Sequence, residues 1–387
     1  MQKVDYKVSI AGWSVDSTQD PKTELVELET FASMDSPVSG CRIALYAPPA
    51  AQPGLLQQAI GAAGSALGLG GAGAAGGPPA FSVDVRGQKV KFGDSISIEL
   101  TAGDNSDAVS KADVQSIQSS FGLTAITGAT GMQKLAATRV NQVYSNQTFG
   151  QIAKDLAGQA SADTGNIEDG STYPYFVAHE SRSVLAHIRE LASLEGMDLY
   201  FDSSNQLNAA TFQKTSADHT FYFGIDILDL ELLNVDAPAE HVMVYGESPA
   251  SNQGSDTWPW LAKDLSPFRG EAGQGARLLA VGDRAVRTKD GAGKYATSKL
   301  GAIQDHSASG RLTLMGNPKV QLGDAFEVKS AKQPELNGLF KVTSVRHSFS
   351  KSQGYRTIVG FSGQGGALQA GNLLGQAAGQ LAGAVGL

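Results

Sequence analysis

The chain has 387 residues, of which 41% are hydrophobic and 18% are charged, and its formal net charge is -8. This composition is typical of a globular protein with two or three domains, and it excludes an intrinsically disordered chain. Phosphate binding needs clustered Lys and Arg, which the sequence lacks, so we expect no nucleic-acid binding site.

The single cysteine, Cys41, excludes a disulfide framework and a thiolate metal site. No apolar run of signal-peptide length follows the first lysines, so we expect the chain to fold in a reducing cytoplasm. Cys41 alternates with Ile43 and Leu45, which is typical of a small hydrophobic residue buried on a strand.

Short strands are predicted for the first part of the chain. Val4, Tyr6, Val8 and Ile10 alternate with polar residues, so 4–10 is predicted to form a strand with one apolar face. Similar patterns predict further strands at 24–31, 41–46, 81–85 and 95–100. Short strands in this number favour a barrel or a sandwich.

A low-complexity insert at about 47–80 interrupts these strands. No residue between Ile43 and Val83 is charged, and Gly and Ala dominate the stretch. Two interpretations stay open: a flexible loop, or a short apolar helix that becomes ordered against a partner through Leu56, Ile60 and Leu67.

The middle of the chain predicts a small α/β unit. Thr148 and Gln151 form a capping-box pattern at the start of TFGQIAKDLAGQA, which predicts a helix of about three turns. A second helix is predicted to begin near Ser181 and to end at Gly196, because glycine tolerates the left-handed conformation of a helix end. Strands at 197–201 and 206–212 complete the unit.

Strands dominate again in the last third of the chain. One strand is predicted at 241–246 and one helix at 293–304. The final strands are predicted at 311–315, 325–328, 339–349 and 355–361, separated by turns that contain Gly, Asn, Pro and Asp.

One phrase occurs twice. VKFGDSISI at 90–98 and VQLGDAFEV at 320–328 share a pattern of strand, Gly-Asp turn and alternating strand. Gly-Asp turns are common, so coincidence is one interpretation. The other is that the chain contains two copies of one β domain on either side of the α/β unit.

In this order and spacing the motifs resemble the baseplate hub proteins of contractile phage tails, the late control gene D family, whose fold recurs in the hub half of type VI secretion spike proteins. The resemblance covers most of the chain and is carried by TFGQIAKDLAGQA, HVMVYG, GNPKVQLGDAFEV and GLFKVTSVRHSFSKSQGYRTIV. It implies a β-rich α+β fold in which two similar β-barrel domains flank a small α/β unit. It also implies a trimeric, pseudo-hexameric ring.

The same resemblance implies a function and a set of partners. The chain is expected to be a non-catalytic baseplate hub that joins the six-fold inner tail tube to a three-fold spike, assembled in the bacterial cytoplasm. Expected partners are two further copies of itself, a separate spike protein and the inner tube protein, with the tape-measure and baseplate wedge proteins as further candidates. The alternative is a cell-wall-binding or cell-wall-degrading tail component.

The predicted division of the chain has four parts. The first barrel takes 1–145, including the insert, the α/β unit takes 146–212, and the second barrel takes 213–363. An uncharged tail, 364–387, follows the second barrel.

Glycine recurs at every fourth position in this tail. On a helix these glycines would form a groove that allows close approach of another helix, but each one costs about 1 kcal/mol relative to Ala. The tail therefore predicts either a disordered terminus or a helix that orders only against a partner. Membrane insertion is the least favoured interpretation, because the segment is long enough to span a membrane but poor in large apolar residues. The candidate contact residues are Gly371, Gly375, Gly379, Gly383, Leu374 and Leu381.

Motifs for catalysis and cofactors give no prediction of an enzyme. The six histidines lack metal-ligand spacing, and GAGAAG at 71–76 follows no predicted strand and opens no helix, as a dinucleotide site requires. No G-x-S-x-G motif is present. We therefore expect no cofactor, no metal and no membrane contact.

Overall fold

The computed structural model describes residues 3–17, 25–36, 39–46, 82–85, 88–120, 122–246, 269–333 and 336–363. The insert and the glycine-rich tail lie outside these residues. Four helices are described: α1 Met132–Ala137, α2 Phe149–Gln159, α3 Val184–Glu195 and α4 Lys289–Ser307.

The strands of the first part are β1 Val4–Ile10, β2 Trp13–Asp16, β3 Leu25–Ser33, β4 Gly40–Tyr46, β5 Ser82–Val85, β6 Gln88–Lys91, β7 Ser95–Ala102, β8 Asn105–Ser120 and β9 Leu123–Ala129. The middle part contains β10 Gln142–Thr148, β11 Thr164–Ile167, β12 Thr172–Ala178, β13 Asp198–Phe201 and β14 Leu207–Ala210. The last part contains β15 His219–Tyr222, β16 Ile227–Asn234, β17 His241–Gly246, β18 Arg269–Gly273, β19 Leu278–Asp283, β20 Ala308–Met315, β21 Ala325–Lys329, β22 Gly338–Ser350 and β23 Gly354–Gly363.

One sheet of 13 strands contains strands from both the first part and the last part of the described chain. Its order is β16-β20-β23-β22-β3-β4-β9-β8-β7-β1-β2, and β21 and β15 extend it from β22. Strands of the first part and strands of the last part therefore meet where β3 pairs with β22. The predicted β-rich α+β fold is confirmed, because 54% of the described residues are in strands and 17% are in helices; the pairing among them forms no closed barrel.

The predicted helix ends of the α/β unit are confirmed. The Thr148 side chain accepts a hydrogen bond from the Gln151 backbone, and the Gln151 side chain accepts one from the Thr148 backbone, as a capping box requires. Helix α3 ends at Gly196, which has a φ of +71° in the left-handed region. Phe149, the first residue of α2, is fully buried in the core of this unit.

Helix α4 and the small sheet β18-β17-β19 pack into the same core as α2 and α3. Four residues of α4 are buried there: Ala292, Tyr295, Ala296 and Leu300. Two other hydrophobic cores lie in the large sheet. One is built mainly by β1–β9 and the other by β15, β16 and β20–β23, and together these three cores hold the molecule together.

Candidate functional site: a duplicated sheet and its flanking clefts

The first Gly-Asp phrase forms a tight turn fixed by four hydrogen bonds. The Asp94 carboxylate accepts a bond of 2.7 Å from the backbone N–H of Lys91, and the Asp94 N–H donates to the Lys91 carbonyl at 3.3 Å. Strand β8 supplies the other two bonds, because Val114 exchanges N–H···O contacts of 2.8 Å with Asp94 and Gly93. Gly93 has a φ of +85°, which side chains with a Cβ rarely adopt.

The second phrase repeats all four bonds at matching residues. The Asp324 carboxylate accepts from the Gln321 N–H at 2.8 Å, and the Asp324 N–H donates to the Gln321 carbonyl at 3.3 Å. Val342 on β22 accepts from Gly323 at 3.1 Å and donates to Asp324 at 2.9 Å. Gly323 has a φ of +78°. The residue before the turn differs, because Val320 lies outside any strand whereas Val90 lies on β6.

Irregularities of strand pairing also repeat. The β8–β9 register shifts between Val114 and Ser116, and the β22–β23 register shifts between Val342 and Ser344, which follow the two turns at matching positions. A second pair of shifts occurs in β3 before Glu27 and in the matching place of β16. Bulges are specific features of a fold rather than accidents of pairing, so their matching positions indicate a duplicated β structure. Coincidence of a short Gly-Asp turn no longer accounts for the similarity between the two parts of the chain.

We therefore define two β modules with the same strand order. The first β module consists of β3, β4, β9, β8 and β7, and the second consists of β16, β20, β23, β22 and β21. Each strand of one module pairs with the same neighbours as its counterpart. The sequence carries a further signal of this duplication that motif searching missed: LVELET and GCRIALY in β3 and β4 match ILDLEL and SGRLTLM in β16 and β20.

The two modules differ in the surroundings of the turn. Asp324 lies 2.9 Å from His219 Nε2 and 3.3 Å from Lys214 Nζ, and the backbone N–H of Ala325 donates to Asp218 at 2.8 Å. Strand β15, which begins at His219, runs parallel to β21, and Lys214 and Asp218 immediately precede it, whereas β1 runs antiparallel to β7 in the first module. Hydrogen bonds from Lys214 and from the Ala325 backbone lower the pKa of Asp218 despite partial burial. The second turn is therefore the more strongly fixed one.

A cleft of about 640 Å³ lies between the α3–α4 pair and the second β module. On its wall, Lys341 Nζ lies 2.6 Å from the Asp198 carboxylate, and Lys341 is only 8% exposed. Burial raises the pKa of Asp198, although the charge of Lys341 acts in the opposite direction. The two charges form a salt bridge with each other, so the pair links β13 to β22 and neither group is available to act on a ligand in the cleft.

Among the described residues, the most deeply buried carboxylate belongs to Glu195, at the end of α3. It accepts hydrogen bonds from the Ser171 N–H at 3.0 Å, the Ser171 hydroxyl at 3.1 Å, the Tyr173 hydroxyl at 2.7 Å and Lys294 Nζ at 2.5 Å. Burial and the charge of Glu195 raise the pKa of Tyr173. Four donors saturate the carboxylate, so its role is to tie α3, α4 and β12 together.

Two residues of types used in catalysis are in unreactive forms. Burial lowers the pKa of His347 to about 3, and its ring lies 2.8 Å from the Tyr355 hydroxyl and 3.2 Å from the Thr357 hydroxyl. Burial raises the pKa of Cys41 to about 12, so this residue is a thiol near neutral pH. Both side chains act as packing and hydrogen-bonding groups inside the sheet.

The candidate contact residues of the tail, Gly371, Gly375, Gly379, Gly383, Leu374 and Leu381, lie outside the described residues, as does the insert at 47–80. The described part of the chain holds no group of three or more His, Cys, Asp or Glu side chains arranged for a metal ion. None of its helices is both long and apolar enough to span a membrane.

No protein-family model and no curated protein matches the sequence. The fold is similar to that of the 43 kDa tail protein of prophage MuSo2 from Shewanella oneidensis, with a TM-score of 0.65 and 11% identity over 93% of this chain and 98% of that one. A tail protein from Neisseria meningitidis gives a TM-score of 0.64 and 12% identity over 93% of this chain and 96% of that one.

A third similar structure is the Escherichia coli c3393 protein, described as a component of the type VI secretion system with structural similarity to the T4 tail proteins gp27 and gp5. Its TM-score is 0.53, with 11% identity over 92% of this chain and 76% of that one. The chain therefore has a fold found in phage tail proteins and in a type VI secretion component.

Proposed function

We propose that this protein is a non-catalytic structural component of a contractile injection machine, and specifically the baseplate hub that joins a six-fold tail tube to a three-fold spike. The observation that carries the proposal is the duplicated β module, with its repeated Gly-Asp turns and matching bulges. The similarity in fold to phage tail proteins and to a type VI secretion component supports the same class of function.

The duplication fits a problem of symmetry. A ring of six equivalent modules matches a six-fold tube, and a trimer matches a three-fold spike. Three chains with two modules each would satisfy both requirements. Their six modules have similar backbones and would match the six-fold tube, while the other parts of the chains occur three times and would match the three-fold spike. The proposal therefore includes a homotrimer that binds tube protein on one side and a separate spike protein on the other.

The remaining parts of the chain have roles within this proposal. Division of the chain after residues 145, 212 and 363 places the first β module before the central α/β unit in sequence and the second β module after it. The tail 364–387 is proposed to contact a partner such as the tape-measure protein, and wedge proteins are proposed to bind the outer surface. Assembly takes place in the bacterial cytoplasm, and the finished hub lies in the baseplate.

Co-expression with the tube protein and the spike protein encoded in the same genome tests the function. We expect a complex that contains all three proteins and survives size-exclusion chromatography, with three copies of this chain by native mass spectrometry. A chain that binds neither protein would refute the hub. Release of soluble fragments from purified peptidoglycan by the purified chain would instead support the alternative of a cell-wall-degrading component.

A further inference from the structure

The last described strand, β23, runs into the wall of the cleft between the α3–α4 pair and the second β module. Ser362 and Gly363, the final two residues of this strand, both line the cleft and both are buried. Ser362 pairs with Ser309 on β20 and with Lys341 on β22, so the strand lies between two neighbours up to this point. A chain leaves a buried position only through the space that adjoins it. The uncharged tail 364–387 therefore starts from the cleft wall.

The charges that line the cleft are balanced in number. They are three cations and three carboxylates: Arg189, Lys214, Lys341, Asp35, Asp198 and Asp305. Lys341 lies 2.6 Å from Asp198, and Lys214 lies 2.6 Å from Asp218, a neighbour outside the cleft. A charged occupant would meet groups of its own sign on the same walls, so the cleft favours an uncharged one. The tail has this property, because no residue from 364 to 387 is charged.

Arg189, on α3, supplies a hydrogen-bond donor to the cleft wall. Its Nη2 atom is buried, and no described residue accepts a hydrogen bond from that atom. A buried N–H group without an acceptor is unfavourable, and an arginine carries only donors. The backbone carbonyl groups of a peptide segment would accept this bond without bringing a second charge into the cleft. The guanidinium therefore also fits an uncharged peptide.

Large apolar side chains in the cleft are only partly covered. Met34, Met197 and Phe212 line it and are half-buried. Met34 and Met197 lie at the margins of two different hydrophobic cores, on either side of the cleft. An occupant that covers them needs a large apolar side chain. Leu368 is the first such residue of the tail, and the five residues that connect it to Gly363 span at most about 18 Å.

We infer that residues 364–370, which we call the anchor segment, occupy this cleft, with Leu368 against Met34 and Met197 and with backbone carbonyl groups at Arg189. The direct connection to Gly363 favours the contact, because it holds the segment beside the cleft at a high effective concentration, so that a modest affinity is enough. The rest of the tail, 371–387, then leaves the molecule at the mouth of the cleft. Its glycines stay available to the partner proposed above.

Oxidation of methionine by hydrogen peroxide tests whether the anchor segment covers the cleft, because the rate depends on exposure of the sulfur atom. The rates at Met34 and Met197 are measured by peptide mass spectrometry. Each is divided by the rate at Met315, which is 48% exposed and lies outside the cleft. Leu368→Asp in the full chain should raise both ratios, because a carboxylate leaves the apolar wall. A segment bound for about 90% of the time predicts a rise of about tenfold.

Leu381→Asp is the matched control for this experiment. It places the same charge in the tail outside the anchor segment, so both ratios should stay at the values of the unchanged chain. If Leu368→Asp left the two ratios unchanged, or if Leu381→Asp raised them as much as Leu368→Asp does, the inference would be overturned.

A disulfide within one chain gives an independent test. The pair Leu368→Cys with Met197→Cys should form an intramolecular bond under mild oxidation, because these side chains are expected to be in contact. The pair Leu368→Cys with Thr297→Cys is the control, since position 297 is an exposed site on α4 that does not line the cleft, and it should link far less. Cys41 is buried with a raised pKa, so it gives no background reaction.

Two results of the cross-linking would overturn the inference. One is an equal yield from positions 197 and 297. The other is a covalent dimer in place of the intramolecular bond, which would show that the tail of a second copy fills the cleft. Neither experiment involves a tube or spike protein. A chain that behaves as expected in both, but binds neither protein, would therefore refute only the proposed function.

Discussion

Removal of the turn carboxylate in each module compares two copies of one structure within a single chain. The proposed variants are Asp94→Ala and Asp324→Ala. Both remove the hydrogen bond that the carboxylate accepts from the backbone three residues earlier, at 2.7 Å from Lys91 and at 2.8 Å from Gln321. A hydrogen bond to a charged group contributes about 1.5–3 kcal/mol to stability. The hydrogen bond of Asp94 is exposed to solvent, so its contribution is expected to lie at or below the lower limit of this range.

The second variant also removes the contacts of Asp324 with His219 and Lys214. A partly exposed ion pair such as that with Lys214 contributes about 0–1 kcal/mol, and a hydrogen bond such as that with His219 contributes about 0.5–1.5 kcal/mol. The expected loss is therefore about 2–4 kcal/mol at the second turn, against about 1 kcal/mol at the first. Asp324→Asn keeps an oxygen acceptor for Gln321 and should recover part of the loss.

Hydrogen exchange read by mass spectrometry measures these losses locally, on peptides that cover 88–96 and 318–328. A local measurement is needed because a chain with three hydrophobic cores is not expected to unfold in a single two-state transition. Equal loss of protection at the two turns would show that the contacts with His219 and Lys214 contribute nothing. A larger loss at Asp94 than at Asp324 would refute the reasoning as a whole.

Three further predictions concern other parts of the chain. Phe149→Ala should cost about 3–5 kcal/mol, because it leaves a cavity around a fully buried ring, and near-wild-type thermal melting would contradict this. Burial lowers the pKa of His347 in the folded chain to about 3, so on acidification this imidazole is protonated first in the unfolded chain, at about pH 6.5. The free energy of unfolding should therefore fall as the pH decreases from about 6.5 towards 3. His347→Gln should reduce this dependence on pH, as measured by urea titrations at several pH values. An unchanged slope would show that other groups cause the pH dependence. Deletion of 364–387 should leave the fold intact and abolish normal particle assembly, whereas complete particles with normal tape-measure content would show that the tail is dispensable.

Local features of the fold were predictable from the sequence. The capping box at Thr148 and the left-handed Gly196 depend on residues within a few positions of each other, and both are confirmed. The alternation in β1 also corresponds to the observed strand, in which Tyr6, Val8 and Ile10 are buried. Short-range patterns of this kind specify local conformation because their hydrogen bonds and burial are decided within one element.

The long-range arrangement was less accessible. Helix α4 buries only four of its 19 residues, so its periodicity does not indicate that it packs with α3 across a separation of about a hundred positions. The match between β3 and β16 was missed because hydrophobic and acidic character is kept while many of the letters change. For the candidate site, the sequence predicted the two turns, but it could not show that β3 pairs with β22, since that depends on strand pairing over a long separation in sequence.

The pairing of β3 with β22 has a consequence for how assembly responds to concentration. Two modules on one polypeptide meet at an effective concentration set by the connecting chain, so their contact forms even when the protein is dilute. In the proposed homotrimer, only the contacts between chains then depend on the number of molecules in the cell. Joining two modules on one chain reduces the number of bimolecular steps in the assembly of the proposed ring, so this assembly becomes less sensitive to fluctuations in expression.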